Sequence, residues 1–117
     1  MDDRPWTVGE VAARIDRGEV PVFIDTRKGR SRAHAELTVP GALRIPVEEI
    51  PSRADAIPRG RPVVTYCGLP GQASSARAAL ILRERGFDAH PLAGGFEAWR
   101  DAGMTLQSDP PRGTAGH

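Results

Sequence analysis

The sequence predicts an α/β fold in which a parallel sheet is covered by helices on both faces. Short apolar runs alternate along the chain with longer segments of helical periodicity, which is the order of elements in such folds. Two of the runs, 20–25 (VPVFID) and 61–67 (RPVVTYC), have the length and apolar character of strands buried on both faces. A chain of 117 residues is long enough for one domain with one hydrophobic core.

The first helix is predicted at 7–18 (TVGEVAARIDRG). Its apolar residues at positions 8, 11, 12 and 15 recur on one helical face. Thr7 and Glu10 have the spacing of a capping box, in which each side chain bonds the backbone of the other. Gly18 is a natural stop, because glycine adopts the left-handed conformation that ends many helices.

The remaining elements follow in chain order. Segment 26–41 (TRKGRSRAHAELTVPG) is polar and predicts a long loop, 42–46 (ALRIP) a short second strand, and 47–50 (VEEI) a short helix constrained by Pro51. After the strand at 61–67, segment 74–86 (SSARAALILRERG) is helical, with a serine as N-cap and Gly86 as stop. A strand at 87–92 (FDAHPL) and a last helix at 94–103 (GGFEAWRDAG) complete one domain over 1–106. The tail 107–117 (QSDPPRGTAGH) lacks apolar anchors and is predicted to be disordered.

Composition excludes several classes of function. The net charge is +1 with 26% charged residues, which gives no electrostatic basis for binding nucleic acid or a membrane surface. No segment approaches the ~20 apolar residues of a membrane span, and the acidic, polar start is unlike a signal peptide. The single cysteine cannot form an internal disulfide, so we expect a cytoplasmic location.

That cysteine, Cys67, stands where a buried strand passes into a helix through the small-residue loop GLPGQAS. A lone cysteine is most often a small buried hydrophobe, but this loop is too small and flexible to bury a thiol well. Two glycines let successive N–H groups point inward, forming an anion-binding nest to which the following helix adds the partial positive charge of its N-terminus. Pro70 leaves one gap in this cradle because it lacks an N–H. In parallel sheets ligands bind at such strand-to-helix junctions, so we expect a reactive thiolate here.

The sequence lacks the residues that several other kinds of active site require. A phosphatase loop needs a guanidinium six residues after the cysteine, and position 73 is alanine. No Cys-x-x-Cys is present, which excludes an internal dithiol cycle. The histidines at positions 34, 90 and 117 have no metal-ligand spacing with Cys67, so each is expected at the surface or in a structural role. No metal and no cofactor is expected.

Other polar and aromatic residues have both a structural and a functional interpretation. Asp25 and Arg27 end the first strand, and we favour Arg27 as a residue that pairs with a carboxylate and pins its loop over one that attracts an anion to the site. Ser74 and Ser75 are interpreted as helix caps that also support the nest. Gly94 and Gly95 are interpreted as turn glycines and Trp99 as a core residue. Arg77 is expected to face solvent or an acidic neighbour.

Four motifs together resemble the rhodanese-like domain family from Thr7 to about Leu106. They are VFIDTR, similar to the family's strand ending in Asp-x-Arg; VPGALRIP, similar to its Pro-Gly-Ala segment; the strand, loop and helix from VVTYC to RERGF; and PLAGGFEAW, similar to its Leu-x-Gly-Gly-x-x-x-Trp signature. The loop is about two residues longer than the usual family loop and resembles a subgroup that reads roughly Cys-x-x-Pro-x-x-Ala-Ser/Thr-Ser-Ala-Arg.

The resemblance implies a central parallel sheet of about five strands flanked by helices on both faces. It also implies that Cys67 attacks a sulfane sulfur donor, a small sulfur-containing anion such as thiosulfate, and becomes a persulfide. The outer sulfur would pass to cyanide, a small thiol or a partner protein's cysteine. The remaining candidate site residues are those that hold the donor and the persulfide: Arg27, Gly68, Leu69, Pro70, Gly71, Gln72, Ala73, Ser74 and Ser75.

Two alternatives remain open at this stage. A rhodanese-like fold could serve as a low-turnover sulfur carrier or protein-binding module, and the atypical loop is compatible with that. A phosphatase or arsenate reductase that reuses the loop is disfavoured by Ala73.

Overall fold

The computed structural model describes residues 4–27, 37–67 and 73–108 of the chain. Its six strands in chain order are β1 (Val22–Asp25), β2 (Leu37–Thr38), β3 (Leu43–Arg44), β4 (Val63–Tyr66), β5 (Ala89–Pro91) and β6 (Gln107–Ser108). Its four α-helices are α1 (Val8–Asp16), α2 (Ile50–Arg53), α3 (Ala73–Glu84) and α4 (Gly95–Asp101). Two short 3₁₀ turns, Val47–Glu49 and Ala54–Ala56, flank α2.

The central sheet has four parallel strands in the order β3-β1-β4-β5. The predicted parallel α/β architecture is confirmed, but the expected number of about five strands is wrong by one. At the edge beyond β5, Trp6 forms a single parallel bridge with Leu92, with the Trp6 N–H donating to the Pro91 carbonyl at 2.9 Å. The proline that precedes Trp6 has no N–H to donate, which helps to limit pairing at this edge to one bridge.

Alternate residues of the central strands pack on opposite faces of the sheet, as the pleat requires. Val63 and Ile24 face a core formed with α2, α3 and the 3₁₀ turns. Val64 and Phe23 face a second core formed with α1, α4 and Trp6. These strands are buried along their whole length, which explains why the sequence shows continuous apolar runs there.

Helix α1 begins as predicted, with a complete capping box. The Thr7 hydroxyl accepts from the Glu10 N–H at 3.1 Å, and the Glu10 carboxylate accepts from the Thr7 N–H at 2.9 Å. The Thr7 backbone, followed by Arg4, holds the pKa of Glu10 below its usual range. The ionised carboxylate therefore stabilises the fold at pH values above the ordinary pKa of glutamate. This contribution is lost as the pH falls through the lowered pKa.

Removing the cap should measurably destabilise the protein. Thr7→Ala leaves the Glu10 N–H without its side-chain acceptor and should lower the free energy of unfolding by about 1 kcal/mol in urea denaturation. Thr7→Ser keeps the hydroxyl and serves as the matched control. Equal stability of the alanine and serine variants would show that the cap contributes nothing.

Three predicted boundaries are corrected by the structure. The loop predicted at 26–41 contains β2, which pairs in antiparallel fashion with β6, so the predicted disordered tail does not begin at Gln107. This pairing uses backbone hydrogen bonds and the Thr38 hydroxyl, which donates to the Gln107 carbonyl at 3.2 Å. The predicted strand at 20–25 begins only at Val22, because Val20 lies exposed before the sheet. Residues 28–36 of the predicted loop and 109–117 of the predicted tail lie outside the described residues.

The helices of the described residues are all too short or too polar to cross a lipid bilayer.

Candidate active site

Cys67 directly follows β4 at the carboxyl end of the central sheet. The residue is half-buried, and its thiol lies 4.0 Å from the hydroxyl oxygen of Ser75, a long hydrogen bond in which sulfur is the donor. Its carbonyl oxygen accepts a 2.9 Å bond from the N–H of Phe96, the second residue of α4. The thiol therefore lies between the start of α3 and the start of α4. The hydrogen bond from Phe96 ties the Cys67 backbone to α4, and the Ser75 contact ties its side chain to α3.

Ser75 joins the first turn of α3 to the strand that precedes the thiol. The residue is fully buried, and its carbonyl accepts a 2.7 Å bond from the hydroxyl of Thr65 on β4. Because α3 begins at Ala73, Ser74 and Ser75 are its second and third residues, and the prediction that they cap the helix is wrong. The helix thus begins one residue earlier than predicted, and the Ser75 side chain faces the thiol.

Most of the predicted anion nest lies outside the described residues. The residues of the nest that the structure does not describe are Gly68, Leu69, Pro70, Gly71 and Gln72. Ala73 is described as the first residue of α3, so the position that a phosphatase would fill with arginine opens a helix. Arg77 is exposed on α3, as predicted.

The turn before α4 depends on two glycines with positive φ, +81° at Gly94 and +63° at Gly95. A Cβ atom on Gly94 would lie 2.5 Å from the Cβ of Ala98, closer than real Cβ atoms approach another heavy atom. The prediction of a turn glycine is confirmed for Gly94, whereas Gly95 is the first residue of α4. Their function is to let α4 begin close enough for the Phe96 N–H to reach the Cys67 carbonyl.

Gly94→Ala should lower the free energy of unfolding by more than the strain of a positive φ alone would. Gly94→Ala adds both the left-handed strain and the overlap with Ala98, and should destabilise the fold by about 3 kcal/mol. Gly103→Ala is the matched control, because Gly103 has a similar φ of +76° but nothing within 4 Å of the added Cβ. Urea denaturation of both variants isolates the overlap, and equal losses would contradict it.

Asp25 and Arg27 form a bidentate ion pair at the carboxyl end of β1. The Arg27 guanidinium donates to Asp25 Oδ1 at 3.0 Å from Nε and to Oδ2 at 2.7 Å from its terminal nitrogen, and the Arg27 N–H donates to Oδ1 at 2.9 Å. Asp25 is 1% exposed and the Arg27 side chain 14%. The guanidinium lies over the Phe96 ring at 4.6 Å. The predicted pairing of Arg27 with a carboxylate is confirmed, and the loop that it was expected to pin lies outside the described residues.

Tyr66 and Arg44 complete this network, and sequence reasoning missed both. The buried Tyr66 hydroxyl donates to Asp25 Oδ2 at 3.2 Å and accepts from the Val39 N–H at 3.3 Å. Burial first, and then the nearby charge of Asp25, raise the pKa of Tyr66, so the phenol stays protonated and keeps its donor role. Arg44, paired with Asp25 in the sheet register, places a terminal nitrogen 3.6 Å from Oδ2. The available sequence signal was Tyr66 itself, a phenol at the end of a buried strand that needs a polar partner.

His90 has a structural role, as predicted. The ring is 2% exposed and stacks on Trp6 at 4.1 Å, and its nitrogens contact the Arg4 carbonyl and the Asp88 carboxylate. His34 and His117 lie outside the described residues. Residues 4–27, 37–67 and 73–108 contain no cluster of side chains that could hold a metal ion. Trp99 is core, with its ring edge against Phe23 at 5.3 Å.

Comparison with known proteins agrees with this architecture. The model of the rhodanese-like domain family matches residues 7–102, and the chain belongs to that family. A sulfurtransferase of Allochromatium vinosum is 36% identical over 97 residues, covering 82% of this chain and 87% of the relative. The family and this relative support a function of the sulfurtransferase type.

A second relative is larger than this chain. An HTH-type transcriptional regulator of Mycobacterium tuberculosis is 29% identical over 107 residues, and the match covers 92% of this chain but only 46% of the regulator. The chain therefore spans less than half the length of that protein.

Solved structures show the same fold at low identity. A protein from Lactobacillus plantarum superimposes with a TM-score of 0.79 at 22% identity, over 90% of this chain and 88% of that one. A rhodanese-like domain protein from Staphylococcus aureus gives 0.70 at 23% identity, over 92% of this chain and all of that one.

Proposed function

We propose that the protein is a sulfurtransferase that carries sulfane sulfur as a persulfide on Cys67. The observation that supports this most directly is the position of the thiol. It is half-buried, at the carboxyl end of a central parallel strand, facing the first turn of the twelve-residue helix α3. Such positions combine access for a small ligand with the partial positive charge of a helix N-terminus.

The proposed reaction has two displacements at sulfur. The Cys67 thiolate attacks the outer sulfur of a donor such as thiosulfate, an S–S bond forms, and sulfite leaves with the electron pair of the broken bond. Cyanide or the thiolate of an acceptor then attacks the outer sulfur of the persulfide, which releases thiocyanate or a new persulfide and restores the Cys67 thiolate. No net oxidant or reductant is needed.

The chain's own groups have distinct tasks in this proposal. The Ser75 hydroxyl, 4.0 Å from the sulfur, can rotate to donate when the sulfur is anionic. The backbone from Gly68 to Ser75 supplies N–H groups to the donor and the outer sulfur, as the sequence predicts. Arg27 donates to both oxygens of Asp25, so its contribution is to hold the wall formed by Phe96 and Tyr66.

The direct test is the intact mass of the protein after incubation with thiosulfate. One added sulfur atom on the wild-type chain, absent after prior alkylation of Cys67, supports the proposal. Since the chain has no second cysteine to resolve the persulfide, this form should persist in isolation and discharge at a rate proportional to added thiol. An unchanged mass with thiosulfate and with other sulfane sulfur donors would rule the proposal out.

A low-turnover carrier or binding module is the second candidate. It is favoured by the similarity to a transcriptional regulator of more than twice the matched length, in which the corresponding segment is only part of the protein. A chain that accepts one sulfur but shows negligible thiosulfate–cyanide turnover would favour this candidate.

Hydrolysis of aryl phosphates is not expected, since α3 starts with Ala73 and Arg77 is exposed.

Ser75→Ala should slow formation of the persulfide by about tenfold, because a hydrogen bond to an anionic sulfur is lost. Ser74→Ala is the matched control, because Ser74 lies one residue away on the same helical turn and the described thiol contact is made by Ser75. The measurement is the second-order rate constant for appearance of the persulfide mass with thiosulfate. Equal rates in the two variants would show that the Ser75 hydroxyl has no part in the reaction.

A further inference from the structure

A groove lies at the end of the sheet opposite Cys67, where the amino ends of β1, β4 and β5 meet. Three adjoining cavities of about 270, 390 and 190 Å³ form it, and Arg61 lines all three. We call it the arginine groove and define it by Val20, Arg59, Gly60, Arg61, Pro62 and Phe87. Five residue steps along β4 place it roughly 16 Å from the thiol, so the site proposed above does not account for it.

The two arginines of the groove are held in place by neutral groups. Arg61 donates from Nε to the Val20 carbonyl at 3.0 Å and from a terminal nitrogen to the Pro21 carbonyl at 3.3 Å. Arg59 donates to the Arg85 carbonyl at 3.2 Å and stacks over the Phe87 ring at 4.1 Å. Within the ranges 4–27, 37–67 and 73–108, neither guanidinium forms an ion pair.

The carboxylates that line the groove are engaged elsewhere. Glu19 pairs with Arg14 and Arg17, and Asp88 accepts from the ring of His90. Neither of these carboxylates forms an ion pair with Arg59 or Arg61. An arginine uses only one or two of its five N–H donors on these carbonyls, so donors remain for a ligand that carries carboxylates.

The groove is also shaped by two glycine turns and is partly apolar. Gly60 and Gly86 turn the chain with φ of +90° and +92°, and a Cβ on Gly86 would lie 3.5 Å from the Arg59 guanidinium. Val20 is 43% exposed at its rim, beside an apolar cavity whose walls include Pro21, Pro40 and Leu43.

From this charge and shape we infer that the arginine groove docks an acidic segment of a partner protein. Carboxylates of the segment bind Arg59 and Arg61, and one apolar side chain packs against Val20 and the proline-lined cavity. Docking at this end of the sheet leaves the thiol at the other end open. The inference does not depend on the sulfur chemistry.

The test uses the full chain and a fluorescein-labelled ten-residue peptide that contains several glutamates and one central leucine. Fluorescence polarisation should show saturable binding that weakens with salt, and the matched peptide with lysine in place of glutamate should not bind. Arg59→Gln combined with Arg61→Gln should weaken binding about tenfold or more, since two charge-assisted contacts are lost. Arg100→Gln removes the same charge from an exposed arginine that does not line the groove and should change affinity less than about twofold.

Two further measurements keep the inference falsifiable if the double variant unfolds. In ¹H–¹⁵N spectra of the wild-type chain, the peptide should shift the amides of Gly60, Arg61 and Gly86 more than that of Cys67. A single-stranded oligonucleotide or anionic vesicles should displace the labelled peptide only when their concentration of negative charges is much higher than that of unlabelled peptide needed for the same displacement. No binding of the peptide, shifts confined to other surfaces, equal loss in the Arg100 variant, or stronger binding of the oligonucleotide or vesicles would each overturn it.

Discussion

Replacing Cys67 with serine should abolish persulfide formation and lower thiosulfate–cyanide turnover by at least about a thousandfold, the scale on which enzymes lose rate when their nucleophile is removed. A serine hydroxyl stays protonated at neutral pH, and it cannot form the S–S bond on which the reaction depends. The chain offers no second thiol to take over the task.

The substitution should leave the fold almost unchanged, which separates chemistry from stability. The Cys67 carbonyl that bonds Phe96 belongs to the backbone and is kept in the variant. Thermal unfolding of Cys67→Ser and wild type should therefore agree closely. Residual turnover in the variant above a few per cent of wild type, with folding intact, would show that sulfur does not pass through Cys67.

The sequence was most informative where local chemistry decides the structure. The capping box of α1, the turn glycines before α4 and the passage from strand to helix around Cys67 each involve residues within a few positions of one another. Their conformations follow from backbone preferences and short-range hydrogen bonds. The end of the strand before Cys67 and the glycines before α4 place the thiol, and both could be predicted without the structure.

Features that depend on distant partners were missed or misplaced. Tyr66 meets Asp25 and Val39 only because β4 lies beside β1 and because the chain after β2 returns over the sheet. The pairing of β2 with β6 joins segments about seventy residues apart and uses backbone groups that carry no side-chain signal. The arginine groove likewise gathers residues from the ends of three strands, so it became visible only in three dimensions.

Asp25→Asn should destabilise the fold by about 3 kcal/mol, because removing one partner of a buried ion pair leaves the other charge uncompensated. The Asp25 carboxylate is 1% exposed and contacts Arg27, Arg44 and the Tyr66 hydroxyl. Asparagine has the same shape, so the loss would report charge and hydrogen bonding more than volume. Asp101→Asn is the matched control: its ion pair with Arg100 is 3.5 Å long and exposed, and its loss should change stability little. Urea denaturation at neutral pH measures both.

Alkaline titration of the same variants tests whether Asp25 acts on Tyr66 as the structure indicates. The pKa of Tyr66 is raised in the folded protein, so its contribution to stability is present below the ordinary tyrosine value of about 10 and is lost as the pH rises above it. Part of that rise comes from the charge of Asp25, which asparagine removes. Above about pH 11 the wild type should therefore go on losing stability after the loss in Asp25→Asn has levelled off, because asparagine leaves the folded-state pKa of Tyr66 less raised. Parallel losses would show that burial alone holds the Tyr66 proton, and that the network beside Cys67 is joined by packing and not by charge.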